Sequence, residues 1–292
     1  MSKAFQTVAV LGMFADPRAA EPMSLLVAHL TKSGANVIAR PEVAQALGVT
    51  AVEDGAIAAQ ADLIVAVGGD GAMLHAAGLT GHGKVPLLGV NRGRLGFLAD
   101  ISPAEMLENL DQIMAGDYSR EQRLQLEACI TAADGSESRA VGLNDVVVQR
   151  QESGRMLDVE TRIADHYVNT HAGDGLIVAT PTGSTAYALS CGGPIIEPVL
   201  DAVVVVPICP HTLSDRPIVV PSNHSIVVKI LRRYDTSAEV SVDGQSLGSL
   251  DPADTLEISE SKKRITLIHP PGYDYYGILR SKLHWGRDSR AR

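Results

Sequence analysis

The first 120 residues alternate between short apolar runs and amphipathic segments. Thr7–Leu11 is an apolar run, and Glu21–Leu30 carries its apolar residues at helical spacing. Asp62–Val67 and Val85–Val90 are almost continuously apolar, which is typical of parallel strands covered by helices on both faces. This order of elements predicts a doubly wound α/β domain over residues 1–120.

One helix in this half has sequence signals at both ends. Ser102 and Glu105 have the spacing of a capping box, and Pro103 suits the first helical turn. Apolar residues follow at helical spacing from Met106, and Gly116 is placed to end the helix. We therefore predict a helix that begins directly after Ser102 and ends at Gly116.

Short β-rich segments replace the helices after residue 120. They are bounded by Gly, Pro, Asn and Asp, as strands of antiparallel sheets commonly are. The segments are Leu124–Thr131, Val146–Gln149, Val203–Pro207, Ile226–Leu231, Ala238–Val242, Thr255–Ile258 and Ile265–Ile268. Together they predict a β-sandwich domain over residues 121–272.

Composition and charge exclude several classes of partner. The 34 acidic and 25 basic residues give a formal net charge of −9, which argues against nucleic acid because a phosphate backbone attracts basic proteins. No apolar stretch is long enough to span a bilayer, so we expect no membrane partner and a cytoplasmic location. The three cysteines and nine histidines lack metal-ligand spacing, so we expect no metal site built from them.

A glycine-rich turn follows the apolar run Asp62–Val67. The segment Gly68–Gly71 reads GGDG, and a helical pattern continues after it. Such a turn points free backbone amides and a helix N-terminus at a ligand, and phosphate suits that environment. Asp70 can accept a proton or hold a metal there, or it can merely cap the helix. His75, one helical turn beyond, can face a phosphate or be an ordinary surface histidine.

A second polar cluster lies in the β-rich half. The apolar run Gly175–Ala179 leads into a hydroxyl-rich segment, Thr180–Tyr187, whose amides, hydroxyls and ring suit a base, a sugar and a phosphate. Asn144 and Asp145 precede another apolar run and either form a plain turn or bind ribose hydroxyls. No Gly-x-Ser-x-Gly sequence surrounds Ser184 or Ser190, which disfavours a serine hydrolase.

Read together, these clusters resemble the bacterial, ATP-dependent NAD kinase family. The resemblance covers most of the chain and lies in an ordered set of motifs. They are Gly68–Gly71, Gly89–Leu98, Leu143–Asp145, Asp174–Tyr187, Gly192–Pro194, Pro210–Pro217, Asp243–Gln245, Tyr275–Tyr276 and Lys282–Gly286.

The resemblance implies a reaction and an architecture. It implies transfer of the γ-phosphoryl group of MgATP to the 2′-hydroxyl of the adenosine ribose of NAD, which gives NADP. It also implies an N-terminal α/β domain, a C-terminal β domain that binds NAD, and a tail of about residues 273–292 that returns to the first domain. The oligomer it implies is a homodimer or homotetramer whose neighbouring subunits complete each site.

The same resemblance implies roles for individual residues. Asp70 is expected to act as the general base and the Gly68–Gly71 turn to hold phosphates. Ala172 stands where many relatives have a basic residue, with His171 beside it. Residues expected to contact NAD or ATP are Gly68, Gly69, Gly71, His75, Asn144, Asp145, Arg155, Asp174, Thr185, Ala186, Tyr187, Ser190 and Gln245, and Phe97 is expected to stack on a base.

Two other functions compete with the NAD kinase interpretation. One is a non-catalytic sensor that binds NAD or NADP, which Asp70 in its glycine turn disfavours. The other is a lipid kinase of related fold, which the lack of a membrane-binding amphipathic stretch rich in Lys and Arg disfavours. Phosphoryl transfer needs mainly positioning and charge screening, so a protein of net charge −9 can perform it with glycine turns, helix ends and Mg²⁺ brought by the nucleotide.

Overall fold

The computed structural model of the chain describes residues 4–80, 83–93, 95–151, 156–231 and 237–285. The chain divides into two compact units. Unit one comprises the residues up to Gln122 together with those from Ile265 onward, and unit two comprises Arg123–Arg264.

Unit one is a seven-stranded sheet with helices. Its strands are β1 (Thr7–Gly12), β2 (Asn36–Ala39), β3 (Thr50–Ala51), β4 (Leu63–Val67), β5 (Leu87–Val90), β6 (Ser119–Arg123, whose last residue is counted in unit two) and β19 (Ile265–His269). Its helices are α1 (Pro17–Lys32), α2 (Pro41–Leu47), α3 (Asp54–Gln60), α4 (Asp70–Gly78), α5 (Met106–Ala115) and α7 (Tyr275–Leu283).

The strand order of this sheet is β3-β2-β1-β4-β5-β19-β6. β1 pairs in parallel with both β2 and β4, so the direction in which strands are added reverses between β1 and β4. All five residues of β4 are buried, as expected of a parallel strand covered on both faces. The doubly wound α/β class predicted for this part of the chain is confirmed.

The helix predicted after Ser102 starts later than the sequence suggests. The Ser102 hydroxyl donates to the Glu105 carboxylate at 2.5 Å, but residues 103–105 form turns and helix α5 begins at Met106. The predicted start was therefore wrong by one turn, because the side-chain pair closes a turn ahead of the helix. The predicted end is confirmed, since Gly116 adopts the left-handed conformation (φ +98°) that favours glycine.

Unit two consists of two six-stranded antiparallel sheets. One has the order β11-β10-β15-β18-β7-β8 and the other β14-β13-β12-β9-β16-β17. The strands are β7 (Leu126–Thr131), β8 (Glu137–Gly142), β9 (Asp145–Arg150), β10 (Leu157–Ile163), β11 (His166–Gly173), β12 (Gly175–Ala179), β13 (Ala202–Ile208), β14 (Ile218–Pro221), β15 (Ile226–Ile230), β16 (Ala238–Val242), β17 (Gln245–Leu250) and β18 (Thr255–Glu260). A 3-10 turn (Gly183–Thr185) and the short helix α6 (Tyr187–Ser190) follow β12.

The inward side chains of both sheets form one apolar core. In β10, Leu157, Val159, Thr161 and Ile163 alternate with more exposed residues, the period-two pattern of a strand with one buried face. Val148 and Val178 of the second sheet belong to the same buried cluster as Val159. This core holds the two sheets together.

One strand that the sequence grouped with the β-rich half belongs elsewhere. Ile265–Ile268 was expected among the sandwich strands, yet β19 lies beside β5 in the sheet of unit one and pairs with it in parallel. All five of its residues are buried, which suits a strand inside a parallel sheet. Local pattern reveals a strand but not its partners, because pairing is decided by contacts distant in sequence.

No helix among the described residues is both long enough and apolar enough to cross a bilayer.

Candidate functional site

The glycine turn of unit one lies where the direction of strand addition reverses. β1 and β4 end side by side, with Gly12 paired to Val67, and ligands of open α/β sheets bind beyond the carboxyl ends of the strands at such a reversal. A side chain at Gly12 would come within 2.8 Å of the Val67 carbonyl oxygen, and one at Gly68 within 2.5 Å of Ala72 Cβ. Both positions therefore need glycine for the strand ends and α4 to approach so closely.

The Asp70 carboxylate is held by a neighbouring loop. Its Oδ2 accepts a hydrogen bond from the Phe97 amide at 3.1 Å, and its Oδ1 accepts one from the Leu98 amide at 2.9 Å. Helix α4 is capped by Gly69 without any side-chain hydrogen bond. The reading of Asp70 as a plain helix cap is therefore wrong, because its carboxylate is directed to the loop and not to its own helix.

Glycine allows this loop to reach Asp70. A Cβ on Gly96 would lie 2.3 Å from Asp70 Oδ1, and a Cβ on Gly89 would lie 2.7 Å from the Leu98 carbonyl oxygen. Each carboxylate oxygen has two lone pairs. The hydrogen bonds from the two amides therefore orient the carboxylate and still leave each oxygen able to accept another hydrogen bond.

A cavity of about 760 Å³ opens beside the glycine turn in unit one. Backbone at the ends of β1 and β4 and the first turns of α4 form one side of it. Its lining comprises Leu11, Gly12, Met13, Phe14, Ala15, Ala19, Arg40, Glu42, Val43, Val67, Gly68, Gly69, Gly71, Ala72, His75 and Arg92. Asp70 is not among them, so the helix start presents amides to the cavity while the carboxylate turns toward Phe97 and Leu98.

Two arginines bring positive charge to this cavity. Arg92 pairs with Asp16, and Arg40 Nε lies 2.8 Å from Asp54 Oδ1. The Arg18 side chain and amide hydrogen-bond to Asp16 and, with the charge of Arg92, lower the pKa of that carboxyl to about 2. Both cavity arginines remain about 40% exposed, so their guanidinium groups are accessible to an anion.

The two other unit-one candidates are placed differently. His75 is exposed on α4 and lines the cavity. The Phe97 ring has the Lys282 ammonium group 5.5 Å from its centroid, a cation–π contact supplied by α7. The Phe97 ring, which was expected to stack on a base, thus already has a cation of the same unit near it.

In unit two, Asn144 and Asp145 form a turn organised by Asp243. The Asp243 carboxylate accepts hydrogen bonds from the amides of Leu143 and Asn144, both at 2.7 Å, and from the amide of Asp145 at 3.2 Å. Asp243 itself has φ +49°. The Asn144 side-chain oxygen is buried and lacks a hydrogen-bond partner among the described residues, so one acceptor at this turn is left unsatisfied.

Two carboxyl groups are crowded together at this turn. Burial, and after it the negative charge of nearby Asp243, together raise the pKa of Asp145 to about 6. Burial also raises the pKa of Asp243, although its three amide hydrogen bonds oppose the shift. Buried carboxyl groups that repel each other are costly unless a ligand or a proton compensates them.

Two hydroxyls of the hydroxyl-rich segment form hydrogen bonds with nearby backbone groups. The Thr180 hydroxyl donates to the Leu143 carbonyl at 2.6 Å and accepts from the Gly183 amide at 3.0 Å. The Ser184 hydroxyl donates to the Pro181 carbonyl at 2.6 Å. Both residues are fully buried, so the expectation that these hydroxyls serve as rotating donors to a ligand is wrong for Thr180 and Ser184.

The residues after this segment are more accessible. Thr185 and Ala186 are half-buried, whereas Tyr187, at the start of α6, and Ser190, at its end, are exposed. Burial, together with a hydrogen bond to Cys191, raises the pKa of the Tyr187 hydroxyl. The helix thus presents a ring and a hydroxyl on its open side.

Asp174 is paired with a cation that the sequence did not single out. Arg150 Nε lies 3.1 Å from Asp174 Oδ1, and both side chains are about 30% exposed. His171 is buried, with its Nε2 3.0 Å from the Gly175 carbonyl oxygen, so it points into the sandwich. Ala172 therefore leaves Arg150, and not His171, as the basic group at Asp174.

Gln245, the remaining candidate, is exposed at the start of β17. Arg155 lies outside the described residues. In the sequence, Asp243 was recognised only as part of a motif. Its position next to Gly244 and Gln245 was the signal that could have marked it as a site residue. Arg40 and Arg92 were missed because a lone arginine carries no local pattern.

No group of three or more His, Cys, Asp or Glu side chains in the described part of the chain is arranged to hold a metal ion.

Two family models match the chain. The ATP-NAD kinase N-terminal domain matches residues 25–118, and the ATP-NAD kinase C-terminal domain matches residues 143–270. The NAD kinase of Burkholderia thailandensis is 44% identical over 284 residues, which is 96% of this chain and 94% of that protein. The NAD kinase of Burkholderia lata is 43% identical with the same coverage.

Two solved structures are similar along almost the whole chain. Yeast NADH kinase in complex with NADH superposes with a TM-score of 0.90 at 26% identity, covering 98% of this chain and 89% of that one. An NAD kinase from Archaeoglobus fulgidus in complex with ATP has a TM-score of 0.76 at 25% identity, covering 95% of this chain and 98% of that one.

Proposed function

The chain belongs to the NAD kinase family, which makes it an ATP-dependent enzyme that phosphorylates NAD, and we propose that it does so through Asp70. In this proposal the γ-phosphoryl group of MgATP is transferred to the 2′-hydroxyl of the adenosine ribose, and Asp70 takes the hydroxyl proton. The observation that carries the proposal is the Asp70 carboxylate, which two backbone amides orient beside a glycine turn.

The chemistry asks little more of the protein than this arrangement supplies. A ribose hydroxyl is a poor nucleophile at neutral pH, and a positioned carboxylate contributes about 10² to 10⁴ in rate by removing its proton as the new bond forms. No covalent intermediate is needed. The remaining tasks are to hold the two substrates and to screen the phosphate charge.

We assign the phosphates of ATP to the cavity of unit one. Its volume of about 760 Å³ accommodates a nucleotide-sized ligand. The amides of Gly69 and Gly71 at the start of α4 suit phosphate oxygens, and Arg40 and Arg92 add charge-assisted hydrogen bonds. His75 provides a further polar contact on the same helix. Mg²⁺ enters as part of the MgATP substrate.

We assign the dinucleotide to the polar turn and α6 of unit two. The unpartnered Asn144 oxygen and the Asp145 carboxylate suit ribose hydroxyls, which are donors as well as acceptors. The Tyr187 ring provides a surface for a base. The further contacts of this assignment are Asp174, Thr185, Ala186, Ser190, Gln245 and Arg155.

We also propose a homodimer or homotetramer that works in the cytoplasm. Edge strands β11 and β14 carry exposed apolar side chains, among them Tyr167, Val168 and Val219, and Leu213 is 91% exposed. Exposed apolar side chains along sheet edges are typical of surfaces that pair with another subunit. Light scattering after size-exclusion chromatography tests this, and a monomer at micromolar concentration contradicts it.

The function itself is tested by product identification. Purified chain is incubated with NAD, Mg²⁺ and either ATP or polyphosphate, and the dinucleotides are separated and identified. We expect NADP from ATP, phosphorylated at the 2′-position. Tight NAD binding without any product is the result expected of a sensor, and phosphorylation of a diacyl lipid in place of NAD is the result expected of a lipid kinase.

A further inference from the structure

A buried histidine lies between two carboxylates at the end of β19. His269 Nδ1 lies 2.8 Å from Asp100 Oδ2, and Nε2 lies 3.1 Å from Glu121 Oε2. The His269 side chain is only 4% exposed, and the Tyr273 ring stacks on it at a centroid distance of 3.8 Å. Because both ring nitrogens face carboxylate acceptors, the ring donates through both and carries a positive charge.

The charges around His269 agree with this assignment. Burial lowers the pKa of His269, but the hydrogen bonds and negative charges of Asp100 and Glu121 outweigh burial and leave the pKa raised. Asp100 depends strongly on this contact, because its other oxygen, Oδ1, is buried and has no hydrogen-bond partner among the described residues.

Asp100 is the end of the loop that holds Asp70. Only Ala99 separates it from Leu98, whose amide donates to Asp70 Oδ1. The loop is closed by a hydrogen bond from the Gly96 amide to the Ala99 carbonyl at 3.0 Å. The Asn91 amide donates a hydrogen bond to the Ile101 carbonyl at 2.8 Å. The segment from Gly96 to Asp100 is therefore a short, internally hydrogen-bonded loop that contacts Asp70 at one end and His269 at the other.

We propose that His269 is a positioning residue for phosphoryl transfer: by anchoring Asp100 it fixes the Phe97 and Leu98 amides that orient the Asp70 carboxylate. The proposal rests on the proposed role of Asp70 as general base. His269 touches no substrate in this scheme and acts through the loop alone. Its loss shifts the reacting carboxylate, and a displacement of about 1 Å at a reacting group can lower a rate about 100-fold.

The test compares His269→Gln with a matched change on the same strand. Thr266 also lies on β19, and its hydroxyl accepts a hydrogen bond from Gln122 Nε2 of β6 at 2.8 Å. Thr266→Val removes this partly buried contact between β6 and β19 without touching the Gly96–Asp100 segment. We expect His269→Gln to lower kcat about 10- to 100-fold with the KM values for NAD and ATP within about 3-fold of wild type. Thr266→Val is expected to keep kcat within about 2-fold of wild type, because it changes only the stability of the fold around β19.

Hydrogen exchange of the Phe97 and Leu98 amides in the substrate-free chain gives a second readout. We expect faster exchange at both amides in His269→Gln and wild-type exchange in Thr266→Val. Asp100→Asn, which has the same shape, is expected to repeat the effects of His269→Gln, and it provides the answer where the histidine variant does not fold. Equal kcat in the histidine and threonine variants, or unchanged exchange at both amides, overturns the proposal.

The two proposals fail in different ways. Wild-type chain that makes no NADP refutes the proposed function, whereas the exchange measurement needs neither substrate nor activity. A low kcat in Asp70→Asn together with a normal kcat in His269→Gln and Asp100→Asn supports Asp70 as the general base. It refutes the proposal that His269 positions Asp70 through Asp100.

Discussion

The two units hold their carboxylates in opposite ways. In unit one, Asp70 receives amide hydrogen bonds from a loop distant in sequence, so the backbone orients the side chain. In unit two, Asp243 receives the amides of Leu143, Asn144 and Asp145, so the side chain shapes the backbone. The first arrangement suits a group that reacts, and the second suits a group that shapes a binding surface.

The largest effect is expected from Asp70→Asn. If Asp70 is the general base, as proposed, its removal should lower kcat about 10² to 10⁴-fold while NAD binding is mostly kept. Asp62→Asn is the matched control, because Asp62 also lies in unit one and its Oδ2 accepts the amides of Gln6 and Thr7. Steady-state kinetics on both variants decide the matter. Wild-type turnover in Asp70→Asn means that Asp70 is not the base.

A second test moves the Asp70 carboxylate without changing it. Gly96→Ala places a Cβ 2.3 Å from Asp70 Oδ1, so the carboxylate or the loop must shift, and we expect kcat to fall about 10- to 100-fold. Gly78→Ala, at the end of α4 with open space around it, should leave kcat unchanged. Equal kcat in the two variants would show that the position of the carboxylate is not critical.

The corresponding change in unit two should affect binding and stability more than turnover. Asp243→Ala leaves three amides without their acceptor, and we expect a loss of about 2–4 kcal/mol in the free energy of unfolding together with a raised KM for NAD. Asp254→Ala is the control, since Asp254 accepts the amides of Ala133 and Asp251 away from the Asn144 turn. Urea unfolding should show similar losses in both, and only Asp243→Ala should change KM.

The smallest effect concerns pH. The folded-state pKa of Asp145 is about 6, above its value of about 3.9 in an unfolded chain. Folding therefore favours the protonated form, and this stabilisation is fully present below about pH 3.9 and lost as pH rises through about 6. Relative to Asp145→Asn, wild type should lose about 2–3 kcal/mol between pH 4 and pH 7.5.

Paired urea titrations of wild type and Asp145→Asn at several pH values measure that difference. The stability of the variant relative to wild type should increase as pH rises. Such a result fits a carboxylate that is kept for binding although it destabilises the fold. A difference that does not change with pH would mean that Asp145 is not destabilised by its burial beside Asp243.

Sequence reasoning succeeded where a feature is local. The GGDG turn could be placed after a strand because apolar runs and glycines are read within ten residues, and β16 has its predicted bounds. It failed at Thr180 and Ser184, since a hydroxyl-rich turn looks the same whether its hydroxyls contact a ligand or its own backbone. It also gave no sign that Arg150 would pair with Asp174.

By itself the sequence determined the order of elements, the two structural classes and the family, because periodicity, turn residues and motifs act over short stretches of chain. Only the tertiary structure decided that β19 joins the sheet of unit one, that Asp70 is oriented by Phe97 and Leu98, and that His269 lies between Asp100 and Glu121. Each of these contacts joins residues at least 27 positions apart, where pairing depends on packing of the whole unit and no local pattern specifies the partner.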